Sequence, residues 1–320
     1  MNERVLILPI GNYGFIPFSK KKNIYVKQVF NGSKDNLFRR AVHKAFLLKT
    51  DLFLQLPIKF QTGILKYIYS NWFNLLNKVD TIIAFDDKRE NIPLLKMIHQ
   101  LYPSKRLILW YWNNVDKSSV QPGKIDRKYI ELWSFDPEDC KKYNMNYNVQ
   151  FYPTENVKQI NSKIKYDILY VGANKSQKRM DVLEKIKQKC EIEKIPYNFY
   201  VVKQFNKDLN TSISYRPFLK YSEILKLINE TRGILDIIKE NQSGLTLRPL
   251  EALFFDKKLI TNNEKIVQHK IYNLNSENIY ILGKDKRKLK DFVEMPVRHA
   301  DNTALKHYYS FDNWLNNFFK

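Results

Sequence analysis

The stretch between Gly233 and Asn262 constrains the fold of this 320-residue chain more than any other part of the sequence. It opens with the apolar, β-branched run Gly233–Ile238, which is typical of a strand buried on both faces. A turn at Gly244 and a helical pattern over Gly244–Phe255 follow, and a second apolar strand is predicted over Lys258–Thr261. A strand, a crossover helix and another strand in this order predict a parallel α/β sheet.

The turn between the first strand and the helix is suited to binding an anion. Gly244 has no side chain, so a ligand can approach its backbone closely. The helix expected after it would direct free N–H groups and its positive dipole end at that position. Arg248 and Glu251 would lie on the same helical face as Gly244. A diphosphate beside a sugar-like diol suits this set, and the alternative is a simple i,i+3 surface ion pair between Arg248 and Glu251.

The run Gly244-Leu-Thr-Leu-Arg-Pro-Leu-Glu-Ala-Leu253, followed by Lys257-Lys-Leu-Ile-Thr261, resembles the donor region of GT-B-type glycosyltransferases of bacterial lipopolysaccharide and capsule biosynthesis. In the related retaining enzymes, two glutamates flank the glycine turn and hold the donor sugar and the ribose. Here Glu251 matches the second glutamate, and Ser243 stands where the first would be, which leaves the retaining mechanism open. The resemblance implies that Glu251 fixes the ribose. Under the same hypothesis, Arg248 would stabilise the departing nucleotide, and Ser243 and Thr246 would donate to phosphate or sugar oxygens.

The length and the pattern of the chain predict two domains, because 320 residues exceed one typical core. Strands alternate with amphipathic helices in both halves, and the pattern restarts at the strand Tyr166–Gly172. We expect an acceptor-binding domain over residues 1–155 and a donor-binding domain over residues 165–303. The predicted fold class is α/β, with two Rossmann-like, doubly wound domains that face each other across a cleft, as the GT-B resemblance implies. A helix over Ala304–Phe319 is expected last, and the resemblance implies that it packs back on the first domain.

A second phosphate-binding turn is predicted after the strand Tyr166–Gly172. Gly172 would let a phosphate meet the start of the next helix, with Lys175 or Arg179 neutralising its charge. The resemblance implies the same role, since this strand matches the entry strand of the donor domain. The alternative is an ordinary tight turn with solvent-exposed lysines.

Carboxylates and amides at strand ends in the first half are the candidates for the acceptor side. Asp86 follows the strand Thr81–Phe85, and an inverting transferase needs a base at such a place to take the proton of the acceptor hydroxyl. Asp136 and Asp139 are rivals for this role, and turn or N-cap duty is the alternative for all of them. The remaining acceptor-side candidates are Gly11, Asn12, Asp87 and Asn113.

The net charge of +21 calls for an anionic partner. The candidates are a phosphorylated substrate, an anionic membrane surface and nucleic acid, and nucleic acid is disfavoured because no recognition helix or RNP-type strand accompanies the charge. The aromatic, lysine-rich segment Pro57–Lys78 is either a lipid-contacting amphipathic helix or an ordinary core helix.

With two cysteines, no metal-ligand spacing and no DxD triplet, we expect no metal and no cofactor. No apolar run is long enough to span a bilayer, so we expect a cytoplasmic protein, peripheral on the inner face of the plasma membrane if its acceptor is lipid-linked.

The function predicted from these observations is glycosyl transfer, hexosyltransferase-like, from a nucleotide-sugar to a growing surface glycan. The alternatives are transfer of a polyol phosphate or another nucleotide-activated group, and a non-enzymatic basic protein that binds nucleic acid or membrane. Arg248→Ala is expected to lose turnover without a change in melting temperature, because growing charge on the leaving diphosphate is stabilised by the guanidinium.

Overall fold

The computed structural model of the chain describes most of its residues and resolves two compact units. Unit 1 comprises Met1–Asn148 and unit 2 comprises Val149–Lys320. The described residues are 3–9, 23–30, 35–86, 91–118, 120–154, 157, 162–204, 209–239, 242–298 and 302–320. The division falls before residue 155, where the sequence predicts the end of the first domain, and Val149 and Tyr152 belong to the hydrophobic core of unit 2.

Unit 1 is built on a six-stranded, wholly parallel sheet in the order β2-β1-β3-β4-β5-β6. Its strands are β1 (Val5–Leu8), β2 (Ile24–Val26), β3 (Thr81–Phe85), β4 (Arg106–Tyr111), β5 (Ile130–Ser134) and β6 (Asn146–Tyr147). Its helices are α1 (Leu37–Leu48), α2 (Thr50–Leu54), α3 (Ile58–Ile68), α4 (Asn91–Leu101) and α5 (Pro137–Tyr143), with 3-10 segments at Phe73–Lys78, Val115–Lys117 and Pro122–Lys124.

Unit 2 repeats this plan with the strand order β9-β8-β7-β10-β11-β12. Its strands are β7 (Tyr166–Ala173), β8 (Tyr197–Val202), β9 (Tyr215–Arg216), β10 (Thr231–Asp236), β11 (Lys258–Thr261) and β12 (Ile279–Ile281). Its helices are α6 (Gln177–Glu193), α7 (Tyr221–Asn229), α8 (Leu247–Phe254), α9 (Lys270–Asn275), α10 (Leu289–Glu294), α11 (Thr303–Tyr308) and α12 (Phe311–Asn317), with 3-10 segments at Glu264–Gln268 and Ser276–Asn278. Counted within the unit, this order is 3-2-1-4-5-6, the doubly wound order of dinucleotide-binding sheets. The predicted α/β class is confirmed in both units.

The end of the chain forms two helices where the sequence predicts one. The backbone leaves the helical path after Tyr308, and the Ser310 side chain then caps α12 by accepting from the N–H of Asn313. A strand-like bridge pairs Ser310 with Tyr152, and the Trp314 ring lies 4.4 Å from the Phe151 ring, centroid to centroid. These contacts anchor the end of the chain within unit 2, and the packing on the first domain that the resemblance implies stays a prediction.

The aromatic segment Pro57–Lys78 contributes some rings to the core and exposes others, so each of the two interpretations fits part of it. Tyr69, Trp72 and Phe73 are buried in the core of unit 1, whereas 66% of Phe60 and 40% of Tyr67 is exposed. Within the described residues, no helix is both long enough and apolar enough to cross a bilayer.

Candidate functional site

The carboxyl edge of the unit 2 sheet is where its chemistry-bearing residues gather. Strands β7 and β10 are neighbours, yet their connections leave toward opposite sides of the sheet, so a crevice opens beyond their ends. Ligands of doubly wound sheets bind at this topological switch point. Gly172 belongs to the end of β7, and the segment that carries Ser243 to Glu251 follows β10. The structure therefore brings together the two turns that the sequence predicts to bind phosphate.

A cavity of about 530 Å³ lies at the ends of β7 and β8. Gly172 and three cations, Lys175, Lys203 and Arg248, line it. Its apolar wall includes Phe218, 81% of which is exposed. An open aromatic ring beside a cationic floor suits a ligand with a flat ring and a negatively charged group.

A second cavity of about 330 Å³ lies beyond β10 and β11, beside the start of α6. Lys178, Arg179 and Lys239 line it together with Ser176, which caps α6, and Asn262. Among the described lining residues of the two cavities there are six cations and no carboxylate. The surrounding protein partly desolvates the Lys175 ammonium, and this, with the charges of Arg179 and Lys239, lowers its pKa. An anionic ligand would relieve this crowding of positive charge.

Arg248 is fixed at the edge of the larger cavity by two contacts. Its Nη2 donates to the Val171 carbonyl over 3.3 Å, and its Nη1 forms an ion pair with Glu251 Oε2. Burial alone would lower the pKa of Arg248, but the charge and hydrogen bond of Glu251, together with Tyr221 and Asp236, more than offset this and raise it. The guanidinium is therefore a permanent, oriented positive charge beside Gly172.

Glu251 is fully buried, and both of its carboxylate oxygens accept hydrogen bonds from the protein. Oε2 pairs with Arg248, and Oε1 accepts from the Tyr221 hydroxyl at 2.9 Å, which lies 2.7 Å from the Tyr152 hydroxyl. In this geometry Glu251 orients Arg248, and its predicted contact with a ribose stays a prediction. Removal of Arg248 would leave the carboxylate buried without a counter-charge, so we now expect a loss of stability that the sequence-based prediction did not include.

The turn before α8 differs in detail from the sequence-based expectation. The helix begins at Leu247 rather than at Gly244, because the Thr246 side chain caps it and accepts from the Arg248 N–H over 3.3 Å. Pro249 has no N–H, so the first turn offers fewer free donors than expected. The Ser243 carbonyl lies 2.6 Å from His269 Nε2, and this contact positions the turn. Gly244 and Ser243 are buried at the same edge of the sheet.

Gly172 is required by its surroundings. A Cβ at this position would lie 2.4 Å from the Tyr170 hydroxyl and 2.7 Å from Cζ of the same ring. The Tyr170 ring is packed in the core, and burial raises its pKa, although the cations Arg179 and Arg248 act in the opposite direction. Within the described part of the chain, the Tyr170 hydroxyl makes no hydrogen bond of ordinary geometry. A phenol donor therefore lies beside the predicted phosphate turn, at a position that the sequence did not single out.

Asp236 ends β10 beneath this site, and its burial predicts a pH-dependent stability. Burial raises the pKa of Asp236 to about 6, although a hydrogen bond from Thr246 Oγ1 (3.0 Å) and the charge of Arg248 act in the opposite direction. The folded state thus holds this proton more tightly than the unfolded chain does. The contribution of Asp236 to stability is present below the ordinary carboxyl pKa of 3.8 and is lost as the pH rises through 6.

We expect Asp236→Asn to remove this pH dependence, because an amide carries no charge and can still accept from Thr246. The unfolding free energies of the two proteins should be similar near pH 4, and the variant should be more stable at pH 8 by about 2 kcal/mol. Denaturant unfolding of the parent and of Asp236→Asn between pH 4 and pH 8 measures these free energies. A variant that is less stable than the parent at pH 8 would show that the ionised carboxylate is needed there.

In unit 1, the described acceptor-side candidates are held by local structure. Asp86 follows β3 and is fully buried, and its Oδ1 accepts from the Trp112 N–H at 2.7 Å. Asn113 is partly buried after β4. Asp136 caps α5, as the alternative interpretation predicts, and Asp139 accepts from the Val115 N–H at 2.8 Å. The candidates Gly11, Asn12 and Asp87 lie outside the described residues. The assignment of a base stays a prediction, and the burial of Asp86 favours a structural role.

The chain is similar to known proteins in its structure but not in its sequence. No protein-family model matches the sequence, and no curated protein matches it significantly. An alpha-glucosyltransferase solved in complex with UDP and a 13-mer DNA matches with a TM-score of 0.51 at 14% identity, covering 98% of this chain and 95% of that one. UDP-GlcNAc 2-epimerase from Neisseria meningitidis, bound to UDP-GlcNAc, matches at 10% identity (TM-score 0.43; 98% of each chain). A TarM mutant from S. aureus matches at 11% identity (TM-score 0.47), and the coverage is 79% of this chain but 58% of that one. The predicted GT-B fold is confirmed.

Proposed function

We propose that the protein is a glycosyltransferase that uses a nucleotide-sugar and binds it at the carboxyl edge of the unit 2 sheet. The observation that carries this proposal is the pair of cavities at the switch point, with six cations and no carboxylate among their described lining residues. The alpha-glucosyltransferase of the same fold was solved with UDP, which supports a nucleoside diphosphate as the ligand. The diphosphate would contact Lys175, Arg179 and Arg248, and the base would stack on Phe218.

Transfer breaks the bond between the anomeric carbon and the diphosphate oxygen, and forms a bond from that carbon to an acceptor oxygen. Negative charge grows on the departing diphosphate, and the acceptor hydroxyl gives up its proton to a base. The oriented guanidinium of Arg248 would stabilise the leaving group in the transition state. The cations at this edge take the charge-neutralising role that a metal ion has elsewhere, so we propose that transfer needs no metal and no cofactor. The growing acceptor that we propose is a bacterial surface glycan, of the lipopolysaccharide, capsule or exopolysaccharide class.

An assay with UDP-, GDP- and CMP-sugars tests this function. The purified protein is incubated with each donor and with glycan or lipid-linked acceptors, with and without EDTA, and products are identified by mass spectrometry. We expect one donor class to yield a glycosylated acceptor at a rate that EDTA does not change. A product that carries a polyol phosphate instead would favour the alternative transferase. No donor consumption, together with salt-sensitive binding to mixed RNA, would favour a binding protein.

We also propose that helices α1 to α3 of unit 1 rest on an anionic membrane, where a lipid-linked acceptor is found. Large apolar side chains are exposed along these helices, and their exposed fractions range from 40% to 79%: Leu37, Phe38, Leu48, Leu52, Ile58, Phe60 and Tyr67. The Phe38 and Tyr67 rings are 6.1 Å apart, so residues from α1 and α3 form one patch. Six cations and a single acidic residue occur between residues 37 and 67. Exposed apolar groups bordered by lysine and arginine suit an anionic lipid surface.

Sedimentation with vesicles tests the membrane proposal. We expect binding to vesicles that contain phosphatidylglycerol and little binding to phosphatidylcholine alone, with a decrease as salt rises. The double substitution Phe38→Ser and Phe60→Ser should reduce binding about tenfold, because it removes two apolar side chains from the interface. Ile192→Ser is the matched control, since 82% of Ile192 is exposed on α6 in unit 2. Equal binding by both variants would contradict the proposal.

A further inference from the structure

A separate basic pocket of about 390 Å³ lies at the opposite edge of the unit 2 sheet. Its lining comprises Lys258, Glu277, Arg287, Met295, Pro296 and Arg298. Lys258 is the first residue of β11, and Glu277 comes just before β12, so the pocket lies at the amino ends of these strands. Because β11 runs from this pocket to Asn262 at the nucleotide-binding edge, the two sites are about 13 Å apart along the strand. The pocket is therefore distinct from the proposed donor site and does not depend on it.

The floor of this pocket is a buried lysine that forms no ion pair with any described residue. Only 1% of Lys258 is exposed, and its ammonium contacts the Phe292 ring at 4.8 Å from the centroid. No hydrogen bond or ion pair joins the Lys258 ammonium to another described residue, so its N–H donors are available to a ligand in the pocket. A buried ammonium without an acceptor is costly. Burial, together with the neighbouring charges of Arg287 and Arg298, lowers the pKa of Lys258.

The other charges around the pocket are already paired. Arg287 bonds to Asp285 through Nε at 2.9 Å and to the Ile279 carbonyl through Nη2 at 2.8 Å. Arg298 pairs with Glu277 at 2.7 Å. Counted over the described residues, three cations thus face two carboxylates, and the excess positive charge resides on Lys258.

The backbone of Arg298 is held in place by the Asn278 side chain. The Arg298 N–H donates to Asn278 Oδ1 at 3.0 Å, and the Arg298 carbonyl accepts from Asn278 Nδ2 at 2.8 Å. Asn278 is buried and also bonds to Asn275 at 2.7 Å. The position from which Arg298 reaches the pocket is therefore fixed before any ligand arrives, which lowers the entropic cost of binding.

We propose that this pocket binds the phosphate group of a small phosphate monoester, with the phosphate accepting from Lys258 and Arg298. The phosphate would supply both the missing acceptors and the missing counter-charge, and charge-assisted hydrogen bonds of this kind are the strong ones in proteins. Met295 and Pro296 form an apolar wall that can contact the rest of the ligand. At about 390 Å³, the pocket is smaller than the 530 Å³ cavity at the carboxyl edge of the sheet and suits a small ligand.

Thermal unfolding with inorganic phosphate and with glycerol 3-phosphate tests the proposal, with sodium chloride of equal ionic strength as the reference. At ten times its Kd, phosphate should raise the melting temperature by about 3 °C. Lys175→Met, a substitution at the donor site, should keep most of this rise, whereas Lys258→Met should lose it. Methionine replaces the alkyl stem over Phe292 without charge, so Lys258→Met should fold. An equal rise in the parent and in Lys258→Met overturns the proposal.

Arg298→Gln provides a second variant that does not disturb the core, since 73% of the Arg298 side chain is exposed. We expect phosphate to bind it about fivefold more weakly, because one charge-assisted contact is lost. If the phosphate-induced rise in melting temperature disappears in Lys175→Met but persists in Lys258→Met and Arg298→Gln, phosphate binds at the donor site. That result would refute a site at Lys258. A rise with glycerol 3-phosphate that exceeds the rise with inorganic phosphate would support a contact between the ester and the apolar wall.

Discussion

Replacement of Arg248 by alanine is expected to lower kcat/KM for the nucleotide-sugar by at least about 100-fold, the usual effect of losing an oriented charge that stabilises the transition state. It should also lower the free energy of unfolding by about 3 kcal/mol, because the fully buried Glu251 loses its counter-charge. Both effects follow from the loss of one side chain, so the two roles must be separated by a second substitution. Steady-state kinetics and denaturant unfolding provide the two readouts.

The double substitution Arg248→Ala and Glu251→Gln separates them. A neutral glutamine can still accept from the Tyr221 hydroxyl, so most of the lost stability should return. Activity should not return, since no cation has been restored. If the double variant recovers both stability and kcat/KM, Arg248 supports the fold only, and the proposed role in transfer is wrong.

Replacement of Gly172 by alanine should have the second-largest effect. The added Cβ would lie 2.4 Å from the Tyr170 hydroxyl, and the packed Tyr170 ring cannot move away without disturbing the core above α6. We expect a loss of about 2 kcal/mol in the free energy of unfolding. Because Gly172 lines the cavity proposed to bind the nucleotide, we also expect nucleotide binding to weaken by about tenfold or more.

Gly63→Ala is the matched control for this substitution. Gly63 lies within α3, and a Cβ there would meet nothing within 4 Å. Alanine at that position should stabilise the protein by up to about 1 kcal/mol, through helix propensity alone. A Gly172→Ala protein that is as stable as the parent and binds nucleotide equally well would show that the turn tolerates a side chain.

Strong hydrophobic patterns made most of the fold predictable from the sequence. β3 and β11 have the predicted bounds, because each is a short apolar run between polar turns. The two-residue edge strands β6 and β9 carry too little pattern to be recognised. The sequence predicts that α8 begins at Gly244, whereas it begins at Leu247. The cap at Thr246 depends on a local hydrogen bond that residue periodicity does not reveal.

The sequence predicts which segments meet at the candidate site but only some of the contacts between them, and the roles of the residues stay predictions. Gly172 and Arg248 are far apart in sequence, and the parallel pairing of β7 with β10 brings their segments together, as a doubly wound sheet requires. The hydrogen bond from Tyr221 to Glu251 has no sequence signal, since it joins helices that are adjacent only in the folded unit. For Lys258 the sequence is misleading. A lysine at the start of a strand is usually exposed, whereas Lys258 is buried in a pocket that Arg287 and Arg298 also line.

Calorimetric titration of the protein with UDP, GDP and their parent nucleosides tests the central claim, that cations at the carboxyl edge of the unit 2 sheet bind a nucleoside diphosphate. We expect one diphosphate to bind, its nucleoside to bind far more weakly, and Lys175→Met to weaken the diphosphate about tenfold by removing one charged contact. Equal affinities for diphosphate and nucleoside, or an unchanged Kd in Lys175→Met, would contradict the account.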